Sequence, residues 1–260
     1  MIRGLYTAAT GMLAQQLSLD VIANNLANVN TTGFKRSRPE FQDLIYQTLR
    51  PAGTETEGGQ QVPAGIQVGM GVKPITVDKM FSQGDYSETS RPLDLAIEGE
   101  GFFRILRNGE EYYTRAGSFK LDGNGTIVDA EGNPLQPEFT VPADTVQLSI
   151  DTGGNVTALD AAGEELSTTR LTLVRFQNSG GLTALGKNLY QATVASGSAI
   201  EGNPGEEGFG TIAQGFLEMS NVQVVTEMVN MIVAQRAYEV NSKAIQVADE
   251  MLGIATNVKR

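Results

Sequence analysis

Apolar residues recur most regularly at the two ends of the chain, and both patterns are helical. From Met219 to Val258 there is no proline and a single glycine, Gly253. An apolar row runs through Val222, Val225, Val229, Val233, Ala237, Val240, Ala244, Val247, Met251, Ile254 and Val258. From Val233 onward its steps alternate four and three, the repeat of a coiled-coil seam. Between Val229 and Val233 the step is four where three is due, so the seam slips by one residue there. About 40 residues at 1.5 Å each make a rod of roughly 60 Å, longer than a domain of this size needs. Such a helix needs a partner, and the small residues Ala237 and Ala244 invite close approach by one.

The other end supplies a candidate. Leu5, Met12, Leu19 and Leu26 fall seven apart, with Ala8, Gln15, Ile22 and Val29 three residues after each. This predicts an N-terminal helix over residues 1–33, its seam weakened by Gln15 and able to pair with the C-terminal one. Thr31-Thr32-Gly33 reads as its stop, with Gly33 as a left-handed cap. Asn24, Asn25, Asn28 and Asn30 crowd the end of this helix. Asparagine competes with the backbone for hydrogen bonds, so such crowding is costly unless the amides have partners.

Between the ends the periodicity changes. Lys35, Arg36 and Arg38 form a small basic cluster before Pro39, read as a solvated loop, and residues 34–71 read as an extended arm. From Tyr46 to Gly71 glycine, proline, threonine, glutamine and glutamate dominate, with Pro51 and Pro63 restricting the backbone, which excludes helix and suggests a long hairpin. Residues 72–216 hold short apolar runs (Leu93 to Ile97, Phe102 to Leu106, Val146 to Ile150, Leu171 to Phe176) separated by turn residues, the pattern of a β domain. An internal repeat points to hairpins: Leu121-Asp122-Gly123-Asn124-Gly125 recurs as Ile150-Asp151-Thr152-Gly153-Gly154, and each is followed by Asp-Ala-x-Gly, from Asp129 and from Asp160. The expected fold class is α+β, with long terminal helices paired as a coiled-coil-like inner domain, the second over residues 217–260, and a β-rich hairpin domain between them.

Composition narrows the chemistry. The 260 residues are 40% hydrophobic, enough for a core, and contain neither cysteine nor histidine. That removes disulfides, thiolate nucleophiles, Ser-His catalysis and the common zinc sites. Asp122, Asn124, Asp129 and Glu131 suggest calcium ligands, but Ile127 stands where an EF-hand loop needs glycine, and hairpin turns explain them. Glu98 with Glu100, or Glu110 with Glu111, could be paired carboxylates of a glycosidase, but the chain has no tryptophan to stack on a sugar. Gly69 and Gly71 lack the third glycine of a dinucleotide loop. No catalytic residue, metal site or cofactor is expected. The net charge of -11 sits in the middle of the chain, while both ends are nearly neutral, which disfavours nucleic acid and anionic membrane as partners. There is no apolar run long enough to insert in a membrane and no cleaved-signal pattern at the start.

The run from Ile22 to Lys35, with its Asn24, Asn25, Asn28, Gly33 and Phe34, resembles the N-terminal signature of the bacterial flagellar axial proteins, the rod and hook subunits. Glu227-Met228-Val229 and Gln235-Arg236-Ala237-Tyr238-Glu239, followed by Asn241, resemble their C-terminal signature, and the likeness extends through Ser82-Gln83-Gly84 and Leu93 to Phe103. Length and the insert near Tyr46 are similar to those of distal-rod members. The resemblance implies a structural, non-enzymatic subunit that self-assembles as a helical homopolymer in the distal rod of the basal body, in the periplasm, and is exported without a cleaved signal. It implies as partners other copies, further rod and hook subunits along the axis, ring proteins around the rod, and the export apparatus. Leu5, Met12, Leu19, Ile22, Leu26, Val229, Val233, Ala237, Val240, Ala244, Val247, Met251 and Ile254 are then the seam between subunits. Phe41 and Ile45 are similar to the Phe-x-x-x-apolar segment of export substrates. The arm carrying Tyr46, Pro51 and Pro63 is expected to tie neighbours and stiffen the assembly. The alternative is a secreted β-rich carbohydrate-binding or cell-wall-active protein whose helices pair only within the monomer.

Overall fold

A computed structural model describes residues 2–53, 63–206 and 208–257, which form two compact units. The arm's tip at 54–62 and the seam residue Val258 lie outside the described residues. The first unit gathers Met1–Leu26, Ser37–Asp78 and Gln223–Arg260; the second holds Ala27–Arg36 and Lys79–Val222.

The first unit contains both long helices. α1 spans Ile2–Ala27 and α2 spans Val224–Asn257. The predicted helices are present, with both inner ends trimmed. After Ala27 the chain turns, with the Thr31 N–H bonded to the Asn28 carbonyl at 3.1 Å, so residues 28–33 are not helical. Gly33 is left-handed at φ 68°, but it stands beyond the helix rather than capping it. A Cβ there would lie 2.5 Å from the backbone nitrogen of Ala116. α2 starts with Glu227 in its first turn, where a carboxylate favours the helix N-terminus.

The rest of this unit is an extended ribbon, in which the arm expected over residues 34–71 continues past residue 71 to Asp78. Its strands are β1 (Ser37–Asp43), β2 (Tyr46–Arg50), β3 (Ile66–Gly69) and β4 (Val72–Lys79), paired β1 with β4 and β2 with β3. In the antiparallel β2–β3 hairpin Tyr46 faces Gly69 and Gln47 faces Val68, with a bulge between Thr48 and Arg50.

The second unit is β-rich. It includes β5 (Tyr86–Glu88), β6 (Leu95–Glu98), β7 (Phe103–Arg107) and β8 (Glu110–Thr114). Its largest sheet runs in the order Leu135–Gln136, β7, β8, Leu189–Gln191, Thr183–Gly186. A second sheet joins Gln147–Ile150, Asn155–Leu159 and Glu165–Arg170. Successive strand residues point to opposite faces, so Phe102 and Phe103 feed two different cores. Phe103 packs with Leu95, Ile97, Ile105, Phe119 and Leu173, while Phe102 packs with Tyr113, Val174, Phe176 and Tyr190. The internal repeat resolves into four copies of one turn. In Asp122–Gly125, Asp129–Gly132, Asp151–Gly154 and Asp160–Gly163 the glycine N–H bonds back to the aspartate carbonyl and the glycine has a positive φ. Only glycine adopts that conformation without strain, which is why Asp-x-x-Gly recurs where strands reverse.

Candidate functional site

The residues singled out at the chain ends fall into three groups: a ridge on α2, contacts that fix α1, and the signature run after α1. On α2 the predicted seam is largely a surface. Val229, Val233, Val240, Val247, Met251 and Ile254 are all exposed, Val240 by 65%, and Ala244 is exposed with them, while Ala237 is half-buried. The face of α2 covered within the chain lies one residue further round. It carries buried Glu227, Ala234 and Ala248, with half-buried Met231, Asn241, Ile245 and Leu252. The expectation that the two apolar seams pair with each other in one chain therefore needs correcting. Ala234 and Ala248 on the inner face admit a close neighbour, and the valine ridge, rotated by about 100° from it, is left outside.

On α1 Ile22 is buried, and Leu5, Met12, Leu19 and Leu26 are half-buried; the most enclosed positions are Ala8, Ala14, Val21, Ile22 and Asn25. The helices meet at Asn25 and at Gly11 among the described residues. Asn25 donates from Nδ2 to Glu227 Oε2 at 3.3 Å. Gly11 lies under Asn241, so close that a Cβ on it would sit 2.9 Å from Asn241 Nδ2.

The arm rests on α1. Arg3 Nη1 donates to Gln47 Oε1 at 2.7 Å, and the Val72 N–H donates to Thr10 Oγ1 at 3.4 Å. Gly71 is needed beside Thr10, because a Cβ there would lie 2.2 Å from Thr10 Oγ1. An open, mostly apolar cavity of about 480 Å³ is lined by Arg3, Tyr6, Leu44, Ile45 and Met70. In β4 the usual polarity is reversed. β4 exposes Ile75 and Val77 and half-buries Thr76 and Asp78, which bond to each other at 3.0 Å. Leu49, Ile66 and Val68 are exposed too. Exposed apolar side chains along these strands make a surface suited to a partner. Of the remaining arm positions, Phe41 is half-buried in β1, Ile45 and Tyr46 are exposed, and Pro51 and Pro63 flank the undescribed tip. Asp43 beside Tyr46 raises its phenol pKa.

The signature run is more deeply built in than its composition suggested. Asn24 is exposed and Asn28 half-buried, but Asn25, Gly33, Phe34 and Lys35 are buried. The reading of Lys35 as part of a solvated basic loop is overturned: its side chain is fully enclosed. Lys35 Nζ meets Glu218 Oε1 at 2.5 Å and donates to the Ser82 carbonyl at 2.8 Å. Arg115 Nη1 reaches the other oxygen, Glu218 Oε2, at 3.3 Å, and Nη2 donates to the Gly99 carbonyl at 2.8 Å. The Gly84 N–H also donates to Glu218 Oε1. Burial pulls the pKa of Lys35 down, with Glu218 opposing, and does the same to Arg115. Two buried cations share one carboxylate. Losing that carboxylate would strand both. Nearby, the Asn221 side chain ties the Arg36 N–H to the Met80 and Ser82 carbonyls. Ser82-Gln83-Gly84, Lys35 and Glu218 thus meet at one place in the second unit. Sequence reasoning missed this because a buried lysine has no local signal; only its partner, far along the chain, reveals it.

No group of three or more acidic, histidine or cysteine side chains able to hold a metal occurs among the described residues. Asp122 and Asp129 serve turns instead, Asp129 Oδ1 accepting from the Glu131 and Asn133 N–H groups. No helix among the described residues is long and apolar enough to cross a membrane.

Comparison with known proteins matches both chain ends and part of the β unit. Residues 5–35 match the family described as flagella basal body rod protein, residues 96–158 the flagellar hook protein FlgE/F/G D1 domain, and residues 213–258 the flagellar basal body rod FlgEFG protein C-terminal family. The flagellar basal-body rod protein FlgG of Borreliella burgdorferi is 50% identical, over 100% of both chains. Those of Caulobacter vibrioides and Bacillus subtilis are 46% and 43% identical, over 99% and 100% of this chain and 100% of their own lengths.

Proposed function

This chain belongs to the flagellar basal-body rod protein FlgG family, and from that premise we propose that it is a rod subunit that polymerises with other copies through the open ridge of α2. The observation that carries the proposal is the exposed valine ridge, Val229, Val233, Val240 and Val247, continued by Met251 and Ile254 on a helix whose other face is already covered. Apolar surface of this length is costly in water and is stabilised by burial against a neighbour, at about 25 cal/mol per Å². Because the ridge and the apolar outer surface of the arm are different patches on one chain, contacts between copies are heterologous, and heterologous contacts that do not close produce an open helical polymer.

Within the subunit, α1 and α2 form an antiparallel pair. The Asn25–Glu227 and Gly11–Asn241 contacts support it: the same fourteen residues, two heptads, separate them on each helix, in opposite directions. The arm along α1, with Ile75, Val77, Leu49, Ile66 and Val68 outward, ties adjacent copies and stiffens the polymer, and Tyr46, Pro51 and Pro63 belong to this tie. Phe41 and Ile45 serve export, and rod and hook subunits, the rings around the rod and the export apparatus are the further partners. The position is the distal part of the rod, reached without signal cleavage, where the polymer carries torque. The matched families give no support to the carbohydrate-binding alternative.

Sedimentation and electron microscopy of Val240→Asp test this. A carboxylate carried into a dry contact and repeated in every copy prevents polymer formation while the β unit melts unchanged. Glu239→Gln, at an exposed position paired with Arg236, is the control that polymerises. Normal polymers from Val240→Asp would remove the ridge from the assembly contact.

A further inference from the structure

One carboxamide in the signature run has an arrangement that a packing role does not require. Asn25 is buried, and its two side-chain heteroatoms both address the same residue, Ser37, the first of β1. Oδ1 accepts from the Ser37 N–H at 2.9 Å, and Nδ2 donates to the Ser37 carbonyl at 2.8 Å. Exchanging one donor and one acceptor with the N–H and C=O of a single residue is how two strands join at a hydrogen-bonded pair. The amide of Asn25 therefore acts as a strand partner supplied by a helix. The second hydrogen on Nδ2 goes to Glu227 in the first turn of α2. A carboxamide has one acceptor oxygen and two donor hydrogens, and each is used here. Aspartate has the shape but not the donors, leucine has the volume but neither bond, and glutamine is longer by one methylene.

We propose that Asn25 is a positioning residue, the joint that couples the helix pair to the root of the arm. It fastens three segments at one point: the last turns of α1, the first turn of α2 and the first residue of β1. Twelve residues of chain separate Asn25 from Ser37, a length that could let the arm move independently of the helices. The paired bonds remove that freedom, so a load on the arm reaches both helices through Ser37 and Glu227. At Arg3, which is exposed, and at Thr10, which is half-buried, the arm meets α1 through one hydrogen bond each, against the paired bonds at Ser37. The inference rests on the assembly proposed above only for its consequence, which is the stiffness of the polymer; the joint itself lies within one chain.

The test is hydrogen exchange at the Ser37 amide in the full chain, soluble and polymerised, for the unchanged protein, Asn25→Asp and Asn25→Leu, with filament bending stiffness measured by electron microscopy. In Asn25→Leu, which keeps the volume, protection of the Ser37 amide falls roughly tenfold, the factor expected for a lost hydrogen bond. Its filaments still form, because the α2 ridge is untouched, and bend more easily. Asn25→Asp keeps an acceptor for the Ser37 N–H, so its amide stays more protected than in the leucine variant, although the donations to the Ser37 carbonyl and Glu227 are gone. Unchanged melting of the β unit verifies that neither variant has simply misfolded. Equal protection of Ser37 in the unchanged protein and Asn25→Leu would overturn the joint, as would leucine filaments of unaltered stiffness. If the unchanged protein forms no polymer, the assembly proposal fails by itself, and Ser37 exchange in the soluble chain still decides whether the joint exists.

Discussion

The two units treat their large apolar side chains differently. In the β unit Phe103, Phe119 and Leu173 have no exposed surface, and the charged groups that join them inside, Lys35, Arg115 and Glu218, are paired. In the helical unit Val21 and Ile22 are enclosed beside alanines, an asparagine and a glutamate, while Val225, Val240 and Ile254 are 75%, 65% and 64% exposed. A unit that buries its large side chains has already gained most of the hydrophobic stabilisation open to it. One that leaves valines exposed along a helix retains apolar surface, which the assembly proposed above would bury. The β unit encloses its large side chains within a single chain; the helical unit leaves an apolar ridge in the open.

The largest expected effect sharpens this contrast directly. Truncating Phe103 to alanine costs about 3–5 kcal/mol of the β unit's stability by urea denaturation, whereas Val240→Ala changes the soluble chain by no more than about 0.5 kcal/mol. Equal losses would erase the distinction between the units. Glu218→Gln leaves Lys35 and Arg115 without their shared counter-charge and is expected to cost about 3–5 kcal/mol as well. A neutral result would mean that water reaches that cluster.

A gentler probe of the same closed interior is alkaline pH. Burial pushes the phenols of Tyr113 and Tyr190 from 10 up to about 12. The unfolded chain gives up these protons near pH 10 and the folded unit holds them to about 12. Between those values the folded state binds more protons, so stability is present below pH 10 and declines as pH rises through 12. Comparing Tyr190→Phe with the unchanged chain isolates one phenol, and the variant's stability is expected to fall less steeply over that window. Parallel slopes would place Tyr190 in contact with water. The smallest effect on the single chain comes from deleting residues 46–65. That removal leaves thermal melting of the β unit unchanged, and its consequence appears only in filaments, as increased bending under the microscope; filaments of unchanged stiffness would free the arm from the stiffening role.

The difference between the units also explains what the sequence could reveal. Both helices were legible because each carries a seven-residue apolar repeat, and the hairpins were legible because Asp-x-x-Gly repeats where a positive φ is required. Periodicity reports which residues share a face, but not whether that face meets the same chain or another one. For that reason Val233 and Val240 pointed equally to a partner inside and a partner outside. The inner face had its own signal, the recurrence of Glu227, Ala234, Asn241 and Ala248 at intervals of seven, but small and polar residues do not register as a hydrophobic pattern. Lys35 and Asn25 were legible as members of a signature and illegible as to role. Their partners Glu218 and Glu227 are 183 and 202 residues away, and only the fold brings them together. β4 was hidden by its inverted polarity, since Ile75 and Val77 face outward where a strand of a lone domain would turn them in.

The central claim is that the ridge of α2 is open in the single chain and closed in the polymer. The chain has no cysteine, so a thiol introduced at Val240 is the only one present. The decisive measurement is the rate at which Val240→Cys reacts with a small maleimide in dilute soluble protein and in sedimented filaments, with Glu239→Cys, on the neighbouring position, as the reference for solvent access. Rapid labelling of both positions in solution, and strong protection of position 240 relative to 239 once filaments form, is the predicted result. Equal labelling of position 240 in the two states would contradict the account, because it would leave the ridge exposed in the finished rod.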